Sequence, residues 1–138
     1  MANDALVQSV KKIMTLAKEG KHDEAHQGYG ALFSSAEFAT YRLEEQRQAL
    51  RLVIRTKGVA PHGNAAFLEA YRGALVALKA LTDAHKEPAD YELLGICNVV
   101  LGNEKAAEAA FRTGLTLERE RSPQSDLCGS LMKWLASV

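Results

Sequence analysis

Apolar positions along the chain recur at the three-to-four-residue spacing of a single helix face, in stretches broken by glycine, proline and short polar runs. The first stretch, to about residue 19, carries Leu6, Val10, Ile13, Met14 and Ala17; Asn3 or Asp4 is placed to cap it, and Gly20 ends it. Lys21-His22-Asp23 turns the chain into a second helix over 23–33. Ser34-Ser35 opens a third segment, predicted as one helix over 36–57 and stopped by Gly58. Val59-Ala60-Pro61-His62-Gly63 reads as the clearest loop, because proline and glycine together block helix. Asn64 then caps a fourth helix that runs to about residue 84.

Residues 88–121 predict two further helices joined by Gly102-Asn103. Pro88 suits a first turn, where a missing N–H costs nothing. Tyr91, Leu94, Val99 and Leu101 supply one apolar face; Ala107, Ala110, Phe111, Gly114 and Leu115 supply the other. Gly102 fits the left-handed position past a helix end, and Asn103 is the expected N-cap of the next helix. Ser122-Pro123 reads as the N-cap and first turn of a last helix over 123–137, with Leu127, Cys128, Leu131, Met132, Trp134 and Leu135 on it.

The hairpins echo one another. Gly20, Ala25 and Tyr29 repeat Gly102, Ala107 and Phe111, while Ala70-Tyr71-Arg72-Gly73-Ala74-Leu75 mirrors Ala110-Phe111-Arg112-Thr113-Gly114-Leu115. The expected hairpins span 4–34, 36–84 and 88–121. Two helices this short need neighbours to bury their apolar faces. Tyr91, Leu94, Gly95, Ala107 and Phe111 stand at the spacing of the tetratricopeptide signature, and residues 88–121 resemble one such repeat. Asn98 takes the place of the second aromatic of its first helix, and the closing proline arrives late, at Pro123.

The resemblance implies a single all-α domain over 1–138: a right-handed superhelical stack of about three helix hairpins plus a C-terminal capping helix. It implies a scaffold whose first helices line a concave groove for another protein. In the register of Gly95, the exposed groove positions are Glu92, Ile96 and Val99, then Gln48, Leu52 and Arg55, then Val10, Met14 and Lys18. Lys12 stands where Leu94 stands in the late repeat. Aligning Gly58 with Gly102 sets Arg47 opposite Tyr91 and Arg51 opposite Gly95, a departure from the pattern in the third helix.

Charge narrows the partner. Lys plus Arg equals Asp plus Glu, so no global field draws the chain to nucleic acid. Arg47, Arg51 and Arg55 form one helical stripe. Two readings stay open for it: a solvated face partly neutralised by Glu44, or a basic wall that pairs an acidic peptide. The opening MANDALVQSVKKIM lacks a signal-peptide apolar core, and no run approaches the ~18 apolar residues of a membrane span. A cytoplasmic protein without membrane insertion is expected, and Cys97 and Cys128, far apart and in apolar patterns, fit buried free thiols.

Candidate chemistry is sparse. His22-Asp23-Glu24-Ala25-His26 places two histidines four apart, but its acidic residue stands two places after the first histidine rather than one, and no third ligand follows. A solvated helix start fits it better than a metal site. Gly28-Tyr29-Gly30 lies within a helix, where glycines permit close packing rather than phosphate binding. No catalytic constellation, cofactor motif or metal site emerges. The expected function is a non-catalytic adaptor or chaperone-like module that captures a peptide or helix of a partner protein. The alternative is a self-associating protein that forms a homodimer through the groove or the last helix.

Overall fold

The computed structural model describes residues 2–54 and 65–138. The described residues form α1 (Ala2–Lys18), α2 (His22–Ser34), a 3-10 turn (Phe38–Thr40), α3 (Leu43–Val53), α4 (Ala65–His85), α5 (Pro88–Val100), α6 (Glu104–Arg121) and α7 (Asp126–Ser137), with no strand among them. The chain divides into two compact units, Met1–Ala77 and Leu78–Val138, and the boundary falls inside the continuous helix α4.

In the first unit, α1 and α2 turn on Gly20, which takes the left-handed conformation at φ +82°. The Gly20 N–H donates to the Ala17 carbonyl (3.1 Å) and the Lys21 N–H to the Leu16 carbonyl (2.9 Å). These two bonds satisfy carbonyls that the helix end leaves without partners. Gly28 lets the helices close: a Cβ there would lie 2.9 Å from Ile13 Cγ1. Two further glycines bring α2 and α4 into backbone contact, since a Cβ on Gly73 would lie 2.6 Å from the Gly30 carbonyl oxygen.

The helix expected over 36–57 does not form as one element. After α2 the chain is extended at Ser35, makes the 3-10 turn, is extended again at Tyr41, and becomes α3 only at Leu43. Aromatic packing explains the break. Phe38 is buried edge-on against Phe33 (5.3 Å between centroids) and Tyr41 (6.2 Å), extending a run of rings that begins with Tyr29 stacked on Phe33 (5.8 Å). The buried Gln46 side chain then donates to the Tyr41 carbonyl at 2.7 Å, which fastens the extended residue. At the far end of α3, the Tyr71 hydroxyl of α4 donates to the Val53 carbonyl (3.1 Å). Arg55, the loop around Gly58–Gly63 and the expected cap Asn64 lie outside the described residues.

In the second unit, α5 and α6 turn on Gly102 with the same two bonds: Gly102 N–H to the Val99 carbonyl (3.1 Å) and Asn103 N–H to the Asn98 carbonyl (2.7 Å), again at φ +82°. Asn103 is not the expected side-chain cap. Its amide donates instead to Asn98 Oδ1 (3.3 Å), while Asn98 donates to the Leu94 carbonyl (3.0 Å). Asn98 thus secures the turn from the position where the tetratricopeptide pattern places an aromatic.

Gly95 and Phe111 are one packing pair, since a Cβ on Gly95 would lie 2.3 Å from the Phe111 ring. Phe111 is fully buried, and Trp134 of α7 stacks on it at 5.4 Å and 9°. Trp134 itself is half-buried. The cap of α7 is Ser125 rather than Ser122, because Ser125 meets two needs at once. Its Oγ accepts from the Cys128 N–H (3.2 Å) and donates to the buried Glu118 carboxylate (2.6 Å). Ser122-Pro123-Gln124 precede the helix instead of opening it. Cys97 and Cys128 are both free and buried, and burial pushes the Cys97 thiol up, which keeps it neutral.

Candidate partner-binding groove

The positions expected to line a groove do not share one environment. Glu92 and Ile96 are buried, so they are not the exposed positions the register of Gly95 implied. Glu92 accepts a hydrogen bond from the Ser130 hydroxyl, so α7 reaches the position expected to face a partner. Val99 is half-buried. In α3, Gln48 and Arg51 are exposed, Leu52 is 52% exposed, and Arg47 is half-buried and engaged by other residues. In α1, Val10 is half-buried, while Met14 and Lys18 are exposed.

A groove of about 810 Å³ opens in the first unit on a neighbouring face of α1. One wall is α1, through Gln8, Ser9, Lys11, Lys12, Thr15 and Leu16. The other is α2, through Ala31 and Leu32. Ile13 and Gly28 meet at its base, where the missing Cβ of Gly28 admits the Ile13 side chain. Ser35, Glu37 and Tyr41 close one end, so the extended residues and 3-10 turn that replace the expected helix also shape the groove. Ile13 and Tyr41 are buried, whereas Leu16 and Leu32 are half-buried and leave apolar surface for a guest. The volume lies within the ~300–1,000 Å³ over which proteins commonly seat a ligand.

None of the described residues predicted as partner-binding lines this groove. The signal in the sequence was the glycine inside α2: Gly28 opposite Ile13 marks where two helices approach closely and leave a cleft beside them. A second, more polar groove of about 590 Å³ runs beside the Gly30–Gly73 contact and is lined by Gln27, Ser34, Glu69, Arg72 and Val76.

His26 packs edge-on against Phe67 (5.2 Å), and burial lowers its pKa, with Asp23 opposing in part and His22 adding a little. Burial raises the pKa of Glu92, partly offset by hydrogen bonds from Ser130 and Trp134. Arg121 joins Glu87 and Glu118 at 2.9 Å each, a bridge from the start of α5 to the end of α6. His22 is exposed while His26 is turned onto Phe67, and among the described residues no group of three His, Cys, Asp or Glu side chains is placed to hold a metal ion. No helix among the described residues is long and apolar enough to cross a membrane.

No protein-family profile, curated protein or solved structure matches the chain.

Proposed function

We propose that the chain is a non-catalytic protein-binding module built from tetratricopeptide-like helix hairpins, and that it captures a segment of a partner protein in the α1–α2 groove. The observation that carries this reading is the groove itself: half-buried leucines on both walls, Leu16 and Leu32, with polar side chains above them. Apolar surface of this kind, rimmed by polar groups, is the ordinary anatomy of a recognition site. The family reading is supported by the Gly95–Phe111 packing pair and by the twin turns at Gly20 and Gly102. A right-handed stack of such hairpins is the arrangement it implies, and a cytoplasmic adaptor or chaperone-like role is the setting.

The test is a parallel capture from extracts of the source organism with wild-type and Leu32→Asp baits, each checked for native helix content. A protein retained by the wild type and lost by Leu32→Asp supports the reading. Equal retention by both baits removes the groove from it. The alternative, self-association, rests on the exposed Val7 (44%), Met14 (40%) and Met132 (50%). Light scattering over a range of concentrations separates the two: a constant monomer mass rules out the homodimer.

A further inference from the structure

We infer that the segment taken by the α1–α2 groove is acidic as well as apolar: a peptide or helix whose large aliphatic side chains are flanked by carboxylates. The inference rests on the groove being the binding site and names the chemistry of its partner. Between residues 5 and 18 the only ionic side chains are Lys11, Lys12 and Lys18, so the α1 wall carries positive charge alone. Lys11 and Lys12 both line the groove and are exposed, and among the described residues neither has a carboxylate within 4.0 Å. Other cations do find carboxylates: Lys21 pairs with Glu19, Arg112 with Glu108, and Arg121 with both Glu87 and Glu118, while Lys105 and Lys133, like Lys11 and Lys12, have none among the described residues. One carboxylate among the described residues, Glu37, lines the groove beside the 3-10 turn, and it has no ion pair with another described residue.

The arrangement has a polarity. Lys11 and Lys12, without a carboxylate partner among the described residues, line the same groove as the aliphatic Leu16 and Leu32. A bound segment that seats leucine-like side chains between those residues brings its flanking groups beside Lys11 and Lys12. Carboxylates there gain charge-assisted contacts, and cations are repelled. Nucleic acid fits less well, because the groove lining offers a single aromatic, Tyr41, and that ring is buried rather than presented for stacking. An anionic bilayer would meet the same lysines but has no use for a concave site.

The experiment is panning of a phage-displayed library of random peptides on wild type, Lys11→Glu/Lys12→Glu and Leu32→Asp, followed by titration of the selected peptides and of phosphatidylserine vesicles. The expected result is wild-type binders rich in Asp and Glu beside Leu, Ile or Phe, with affinity about ten-fold or more weaker for Lys11→Glu/Lys12→Glu and reduced by added salt. Neutral or basic binders that Leu32→Asp still disrupts would overturn the acidic partner while keeping the groove. Binders indifferent to Leu32→Asp, or none at all, would overturn the groove reading. Vesicle binding that depends on Lys11 and Lys12, with no peptide binding that does, would replace the peptide with a membrane surface. Circular dichroism of each variant guards against loss of fold, and Lys11→Gln/Lys12→Gln supplies a milder change should the charge reversal unfold the unit.

Discussion

The hairpins α1–α2 and α5–α6 close on the same turn yet pack in opposite senses. Gly20 and Gly102 share a left-handed φ of +82° and the same pair of backbone bonds. With those glycines aligned, Ile13 stands at the position of Gly95, and Gly28 at that of Ala110. In the second hairpin the first helix supplies the glycine and the second helix the bulk, Phe111. In the first hairpin the roles reverse: α1 supplies Ile13 and α2 supplies Gly28. The same alignment sets Leu32 opposite Gly114. Gly114 packs closely on α5, where a Cβ would be 3.0 Å from Tyr91 Cβ and 3.2 Å from the Pro88 carbonyl oxygen, with Leu131 of α7 next at 3.5 Å, whereas Leu32 lines the open groove. A shared backbone turn therefore fixes the hairpin, and the placement of one glycine and one large side chain differs between the closed face of the second and the open face of the first.

The contrast is broken most strongly at Phe111. Phe111→Ala empties a fully buried site between Gly95 and Trp134 and is expected to cost about 3–5 kcal/mol, read by urea melts. An unchanged midpoint would contradict the closed packing of the second unit. Gly95→Ala comes next, because its Cβ would collide with a ring already held by Trp134. A loss of about 1–3 kcal/mol is expected, the usual cost of overpacking a core.

A smaller and more diagnostic effect comes from pH, with opposite signs in the two units. Burial lowers the folded pKa of His26, so its contribution is complete above the unfolded value near 6.5 and is lost as pH falls below it. Burial raises that of Glu92, so the folded unit holds the proton more tightly than the unfolded chain. Its contribution is greatest below the unfolded value near 4.5 and is lost as pH rises through the higher folded value. Hydrogen exchange with Glu92→Gln should show α5 amides gaining protection at neutral pH and little at acid pH. His26→Gln should remove the acid sensitivity of α2. The same sign in both units would refute the assignment to these groups.

The smallest effect belongs to Gly28→Ala. The clash is with a single aliphatic atom, Ile13 Cγ1 at 2.9 Å, rather than with a whole ring, and alanine gains about 1 kcal/mol of helix propensity over glycine to offset it. The net change is expected to stay within about 1 kcal/mol of zero, well short of that for Gly95→Ala. Thermal melts of the two variants side by side check the reversed roles of glycine and bulk.

The turns were legible in the sequence because glycine past a helix end has a local physical cause. Gly95 and Phe111 were legible as signature positions, but that the ring fills the space of the missing Cβ was not. The break after α2 was not legible, since residues 36–42 carry no proline or glycine, and what bends them is side-chain contact five residues apart that helical spacing does not announce: Phe38 on Phe33, and Gln46 on the Tyr41 carbonyl. Asn103 and Ser122 were misread as caps for a related reason, because the Asn103 amide is taken up by Asn98 and the cap of α7 passes to Ser125, which Glu118 holds, and spacing reveals neither partner. The groove was missed because a borrowed register pointed to Val10, Met14 and Lys18, whereas the cleft follows the neighbouring face through Ser9, Lys12, Ile13 and Leu16.

The most direct test of the open first hairpin is an amide NMR titration of the full chain with an acidic peptide obtained by panning. Shifts concentrated at Lys12, Leu16, Ala31 and Leu32, with α5–α7 unmoved, are the predicted result. Shifts centred on α5–α7, or spread evenly over the chain, would contradict it.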